Sequence, residues 1–378
     1  MSSLKYILVI CMSSALILLT AFSNKENPEF PVSASSAVLM EQKTGRVLFE
    51  KNPHEVRRVA SITKIMTAIL AIESGKMDET VKVSRSASYT EGSSIYLVPG
   101  EKIKLRDLVY GLMLRSGNDA ANAIAEHVGG SMEGFVFMMN QKAKEIGMTN
   151  TAFSNPSGLD SHEEHYSTAY DMALLMRYAM HDETFRTISG TKIYSFERED
   201  RSQHWKNKNR LLTEKYKYAT GGKTGYTKRA GRTLVTTASK KNKDMVAVTL
   251  NASDDWNDHI SMYEYAFSHF KMMEILPDGP LKGVQPFKGK KTLYIKGPVY
   301  YPLTKEEYSD VRIRYTLLSP KEMRKTEDGE VGRAVIYLQD QAIRNVPVYI
   351  SGEEQREKVS WAQRLKSLFR ERAGAILP

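Results

Sequence analysis

The spacing of apolar residues changes several times along this chain, and each change predicts a different element. Between Ser35 and Glu50, apolar stretches at 37–40 and 47–49 flank a polar turn through Gln42 to Gly45, the pattern of a hairpin. Beyond Ser61 the residues Ile62, Ile65, Met66, Ile69 and Leu70 recur at helical spacing, with Ser61 placed to open the helix. The same period predicts helices over 105–114, 120–128, 132–146 and 169–180, the second of these stopped by Gly129-Gly130. Strand signals are expected to return only after Gly221-Gly222, as an antiparallel meander over 223–227, 233–238 and 245–250. A helix over 259–273 follows. Strands at both ends with helices between imply one sheet completed by chain-distant segments, so residues 35–275 read as a single α+β domain.

Pro277-Asp-Gly-Pro280 punctuates the next boundary. Short β-rich runs at 292–295, 311–318, 331–338 and 346–350 then predict a small all-β domain over 277–352. In the tail, 353–378, Trp361, Leu365, Leu368 and Phe369 share a helical face while Arg364, Lys366, Arg370 and Arg372 interleave. A basic amphipathic helix of this kind suits a membrane surface.

The other end of the chain sets the compartment. Lys5, an apolar run over 6–19 and Ala21-Phe-Ser23 match a signal peptide over 1–23, the run being shorter than the ~20 residues that span a bilayer. Export to the outer face of the cytoplasmic membrane, with peripheral attachment, is the expectation. The single cysteine, Cys11, lies inside that segment. Disulfides, cysteine nucleophiles and cysteine–zinc sites are therefore excluded from the rest of the chain. With 378 residues and a formal charge of +10, the protein favours acidic partners such as a polyanionic wall or anionic lipid. No basic stripe interleaved with aromatics argues for nucleic acid.

Candidate chemistry comes from three motifs in order: Ser61-Ile-Thr-Lys64, Ser116-Gly-Asn118 and Lys223-Thr-Gly225. Each is weak alone. Serine-x-x-lysine also occurs at Ser2, Ser189 and Ser268, and lysine-threonine-glycine also at Lys43, but only one combination keeps the order and the structural placement. Residues three apart on a helix share a face, so Lys64 can reach the Ser61 hydroxyl. Serine needs such a base, and lysine serves only if its pKa falls, through burial or a second cation such as Lys223. Ser116 and Asn118 sit in a break between helices, where a hydroxyl can shuttle a proton and an amide can hold a peptide. Lys223 and Thr224 suit a carboxylate, and Gly225 admits an extended ligand. His162-Glu-Glu-His165 lacks the spacing of a zinc-protease helix, and Asp254-Asp-Trp-Asn-Asp258-His259 reads as a helix cap, so neither predicts a metal.

At these residues the chain resembles the low-molecular-mass penicillin-binding proteins, the serine D-alanyl-D-alanine carboxypeptidases of peptidase family S11. The likeness extends through Ala60-Ser-Ile-Thr-Lys-Ile-Met-Thr67, Glu91-Gly-Ser-Ser-Ile-Tyr96, Leu114-Arg-Ser-Gly-Asn-Asp-Ala120, His165-Tyr-Ser-Thr168, Asn207-Lys-Asn209 and Gly221-Gly-Lys-Thr-Gly-Tyr-Thr227. Within the family it most resembles the sporulation-associated member of spore-forming Gram-positive bacteria. The resemblance implies a transpeptidase/β-lactamase-like domain, an antiparallel sheet flanked by helices, followed by the β-rich domain and the membrane-surface helix. It implies peptidoglycan stem peptides as substrate, β-lactam antibiotics as covalent inhibitors, and no cofactor or metal.

Carried over, Ser61 attacks the penultimate D-alanine with Lys64 as base, and the N–H groups of Ser61 and Tyr226 hold the oxyanion. Ser116 relays a proton, Asn118 holds the peptide, and Lys223 with Thr224 binds the terminal carboxylate. Two departures are Thr220, where many relatives carry aspartate, and Tyr226, where some carry histidine. Competing readings are a class A-like β-lactamase and a non-catalytic wall-binding protein.

Overall fold

The predicted hairpin forms as β1 (Ser36–Glu41) and β2 (Val47–Lys51) in the computed structural model, which describes residues 31–160, 163–198, 201–284, 291–326 and 329–351. The signal segment 1–23 and the tail 353–378 lie outside the described residues. Two short strands follow, β3 (Thr80–Lys82) and β4 (Lys102–Lys104), then a hairpin of β5 (Ile193–Arg198) and β6 (Arg201–Lys206). The meander is β7 (Ala219–Thr227), β8 (Gly231–Lys240) and β9 (Lys243–Leu250). One five-stranded sheet runs β2-β1-β9-β8-β7, so the chain's first strand pairs with β9, Ser36 opposite Leu250 and Glu41 opposite Met245. Chain-distant segments do complete the sheet.

Helices cover both faces because successive strand residues point opposite ways. Val235 on β8 joins the helical core with Val246 and Val248, while its neighbour Thr236 turns the other way. The helical side holds α1 (Lys64–Glu73), α2 (Arg85–Ser88), α3 (Leu105–Tyr110), α4 (Asn118–Gly129), α5 (Met132–Glu145), α6 (Ala169–Ala179) and α7 (Glu183–Gly190). On the opposite side lies α8 (Asp255–His269). There Thr236 Oγ1 shares hydrogen bonds with His259 Nδ1 and Tyr263 Oη, 2.7 Å each. Burial holds His259 neutral, with its pKa lowered to about 3.

Several elements depart from expectation. The helix expected over 105–114 stops at Tyr110 and widens into a π turn, Gly111–Arg115, which delivers Ser116 with φ of +66°. Strands return earlier than Gly221: β5 and β6 place Tyr194, Phe196 and Trp205 in one aromatic cluster, with ring centroids 4.6 to 6.4 Å apart. The last helix begins at Asp255, not 259, and ends at His269. Asp254 takes the cap position without a side-chain capping bond, and Asp258 instead accepts from the N–H groups of Ser33 and Ala34.

Past His269 the chain becomes β10 (Lys271–Leu276), then β11 (Gly279–Pro280), β12 (Thr292–Ile295), β13 (Val299–Leu303), β14 (Val311–Leu317), β15 (Gly329–Leu338) and β16 (Gln341–Ser351). A second five-stranded sheet runs β11-β12-β16-β15-β14 over its own core of Leu293, Ile295, Val331, Ile336, Val348 and Ile350. The β-rich reading is met, with the short helix α9 (Pro320–Lys325) added behind a Ser319–Glu322 capping box. β10 precedes Pro277 yet pairs with β13 beyond it. Arg46, in the turn after β1, also reaches across: it ion-pairs with Glu307, donates to Pro302 O, and stacks over Phe270 and Tyr301 at 5.3 Å. From Ser33 on, the described residues form one compact unit.

Candidate active site

Ser61 lies in a 3₁₀ turn, Ala60–Thr63, just ahead of α1, and not in the helix itself as the apolar period suggests. Two supports hold that turn. Thr233 of β8 donates from its hydroxyl to Val59 O at 3.0 Å. Gly158 packs so closely that a Cβ there would lie 1.9 Å from Ala60 O, at a φ of +82° that other residues avoid.

Lys64, the first residue of α1, is fully buried. Its Nζ meets Ser61 Oγ at 3.1 Å, Asn118 Oδ1 at 2.7 Å and Ser157 O at 2.5 Å. Burial first, then the charges of Lys223 and Lys208, hold its pKa well below the ordinary lysine value, against a smaller opposing pull from Asp119. A neutral amine has two N–H donors and one lone pair. With Asn118 and Ser157 O taking the donors, the lone pair is left for the Ser61 hydroxyl proton.

The second lysine repeats the arrangement. Lys223, buried in β7, donates to Ser116 Oγ at 3.0 Å and Thr224 O at 2.7 Å. Burial and then Lys208 lower its pKa to about 7. Asn118 spans the site, since its Nδ2 donates to Glu91 O at 2.6 Å while Oδ1 takes the Lys64 amine. Beneath it, the buried Asp119 carboxylate accepts from Ile95 N–H at 3.1 Å, Leu97 N–H at 3.0 Å and Ser94 Oγ at 2.6 Å, fixing the 91–97 loop. A Cβ at Gly225 would lie 2.9 Å from Ser61 N, so β7 and the Ala60–Thr63 turn are in direct apposition. Tyr226 beyond it is 66% exposed.

The three motifs thus meet in a cleft of about 520 Å³ lined by Ser61, Ser116, Thr224, Gly225 and Tyr226. Ser93, Lys208, Arg232, Asp255 and Trp256 line it too. Ser93 and Lys208 fall in segments that carry the family resemblance, Asp255 and Trp256 fall in the run read as a helix cap, and Arg232 alone had no signal in the sequence. Arg232 lies opposite Tyr226 on β8, pairs with Asp255 at 2.5 Å and faces the Trp256 ring at 5.6 Å. The decoy residues have other places. Ser189 Oγ accepts from Gly222 N–H at 2.8 Å, and Lys43 sits in the β1–β2 turn. His165 is buried against Thr63 Oγ1 at 2.9 Å and Ser154 N–H at 3.1 Å. Thr220 bonds Thr237 across the sheet at 2.7 Å.

A family model described as "D-alanyl-D-alanine carboxypeptidase" matches residues 21–254. The chain belongs to this family. A second, "Penicillin-binding protein 5, C-terminal domain", matches residues 270–356 of this carboxypeptidase-family chain. D-alanyl-D-alanine carboxypeptidase DacF of Bacillus subtilis is 41% identical over 65% of this chain and 65% of its own length, just under two thirds. DacC of Escherichia coli is 32% identical over 88% of this chain and 87% of its own. Among solved structures, penicillin binding protein 5 of Haemophilus influenzae superposes with a TM-score of 0.70 at 25% identity, covering 85% of this chain and 98% of that one. The transpeptidase-like α+β fold with its strand-built C-terminal part agrees with these likenesses.

Proposed function

We propose that this chain is a serine D-alanyl-D-alanine carboxypeptidase that removes the terminal D-alanine of peptidoglycan stem peptides through an acyl-enzyme on Ser61. The neutral Lys64 amine takes the Ser61 proton as the oxygen attacks the penultimate carbonyl. The N–H groups of Ser61 and Tyr226 receive the oxyanion, each such donor being worth about 3–4 kcal/mol of barrier. Thr224 and the Lys223 ammonium take the substrate's terminal carboxylate, and Ser116 passes a proton to the departing D-alanine. Asn118 holds the peptide backbone. Water then releases the shortened peptide, and a β-lactam acylates the same serine. The observation that carries this reading is the 3.1 Å contact of a buried, charge-crowded Lys64 amine with Ser61 Oγ.

Both family matches favour this activity over a β-lactamase, because the C-terminal match accounts for the added β-rich part. Likeness to the Bacillus subtilis relative supports a place in the sporulation-associated branch. Domains over 35–275 and 277–352, and attachment of the exported enzyme by its 353–378 helix to the outer face of the membrane, on the forespore side, complete the proposal. Among the described residues no helix is long and apolar enough to cross a membrane.

The test is D-alanine release from a synthetic stem pentapeptide. Wild type is expected to release it and Ser61→Ala to release none above background; equal release would assign the attack to another residue.

A further inference from the structure

The run His162-Glu-Glu-His165 predicts no metal, and the catalytic steps above leave His165 without a duty. Yet its imidazole is only 1% exposed. It lies between the two pieces of chain that present the Lys64 amine to Ser61.

The contacts of the ring fix its protonation. Ser154 N–H donates to His165 Nδ1 at 3.1 Å. A backbone N–H can only donate, so Nδ1 keeps its lone pair and the neutral ring carries its proton on Nε2. Nε2 then donates to Thr63 Oγ1 at 2.9 Å. Thr63 stands between Ser61 and Lys64 in the 3₁₀ turn, so one ring nitrogen holds the turn and the other holds the loop that begins at Ser154.

That loop is stiff. Asn155 Oδ1 accepts from Ser157 N–H at 3.1 Å and Gly158 N–H at 2.8 Å, and Thr67 of α1 donates to Pro156 O at 2.6 Å. It carries two contacts on which the site depends. Gly158 packs against Ala60 O, and Ser157 O takes one N–H of Lys64 at 2.5 Å. A neutral amine deprived of that carbonyl can turn its second N–H, in place of its lone pair, towards the Ser61 hydroxyl. A base in that orientation accepts no proton.

We propose that His165 is a positioning residue for acylation: it clamps the 154–158 loop to the Ala60–Thr63 turn and so keeps the Lys64 lone pair on Ser61. The inference rests on the reading of Lys64 as base. Full labelling of Lys64→Met by penicillin would overturn that base, a failure separate from the failure of His165.

The full-length chain is mixed with labelled benzylpenicillin over a range of concentrations. The limiting acylation rate, the dissociation constant of the noncovalent complex and the number of adducts per chain are read separately. His165→Leu removes both ring contacts. It is expected to slow limiting acylation about tenfold, the weight of one hydrogen bond, with the dissociation constant and the one adduct per chain unchanged. His165→Gln, which offers one N–H donor and one carbonyl acceptor, is expected to recover most of the rate. Wild-type acylation in His165→Leu overturns the proposal. So does a smaller number of adducts formed at the wild-type rate, which marks a residue needed only for folding. Should His165→Leu not fold, Thr63→Val breaks the same contact from the other side at constant volume. It is expected to slow acylation equally, and a wild-type rate there overturns the clamp.

Discussion

Lys64 has to be buried to act as a base and has to be hydrogen-bonded to be buried. Its contacts with Asn118 and Ser157 O meet the second need without using the lone pair. In the proposed mechanism Lys223 has the opposite duty, since binding a carboxylate needs the ammonium that burial disfavours. Both are depressed from 10.5, so each gains a proton only at lower pH than an ordinary lysine. Acylation by benzylpenicillin should therefore rise with pH as Lys64 deprotonates, well below 10.5, and fall above about 7 as Lys223 loses its charge. The two limbs belong to the coupled pair and not to either residue alone. Stopped-flow kcat/KM against pH checks this; a rate that climbs only towards about 10 contradicts it. Three-residue spacing made the Ser61–Lys64 contact legible in the sequence. Arg232 was not, because only tertiary convergence brings it to the cleft.

At the scale of elements, the site depends on how closely β7 approaches the 3₁₀ turn. An alanine Cβ at position 225 would sit 2.4 Å from Thr233 Oγ1, 2.9 Å from Ser61 N and 3.1 Å from Ile62 N. Gly225→Ala should push the strand edge off the nucleophile and slow acylation by about 10²–10³-fold, the effect of losing an oxyanion donor. Overpacking of this kind costs about 1–3 kcal/mol, so the thermal midpoint should fall only modestly. A variant with wild-type acylation would remove β7 from the catalytic arrangement. Long periodic helices and the β-branched meander were readable because their burial is one-sided and regular. The π turn at Gly111–Arg115 was not, since nothing in those residues marks a bond one step longer than the helix. The β5–β6 hairpin was passed over because its strands mix charged residues with half-exposed aromatics. Lys271–Leu276 carries no turn residue to separate it from the helix before it.

Across the whole molecule, residues 61, 116 and 223 come from the turn before a core helix, the end of a π turn and an edge strand. A sheet that pairs β1 with β9 brings them together. The order of the motifs announced that convergence. The registers that achieve it, and the Arg46 contacts that join the first hairpin to residues beyond Pro277, had no local signature. The most direct test is peptide mapping of the chain after brief exposure to labelled benzylpenicillin, wild type beside Lys64→Met. One adduct on the Ser61 peptide, persisting for minutes and lost in the variant, is the expected result. An adduct on another serine, or full labelling without the Lys64 amine, would contradict it.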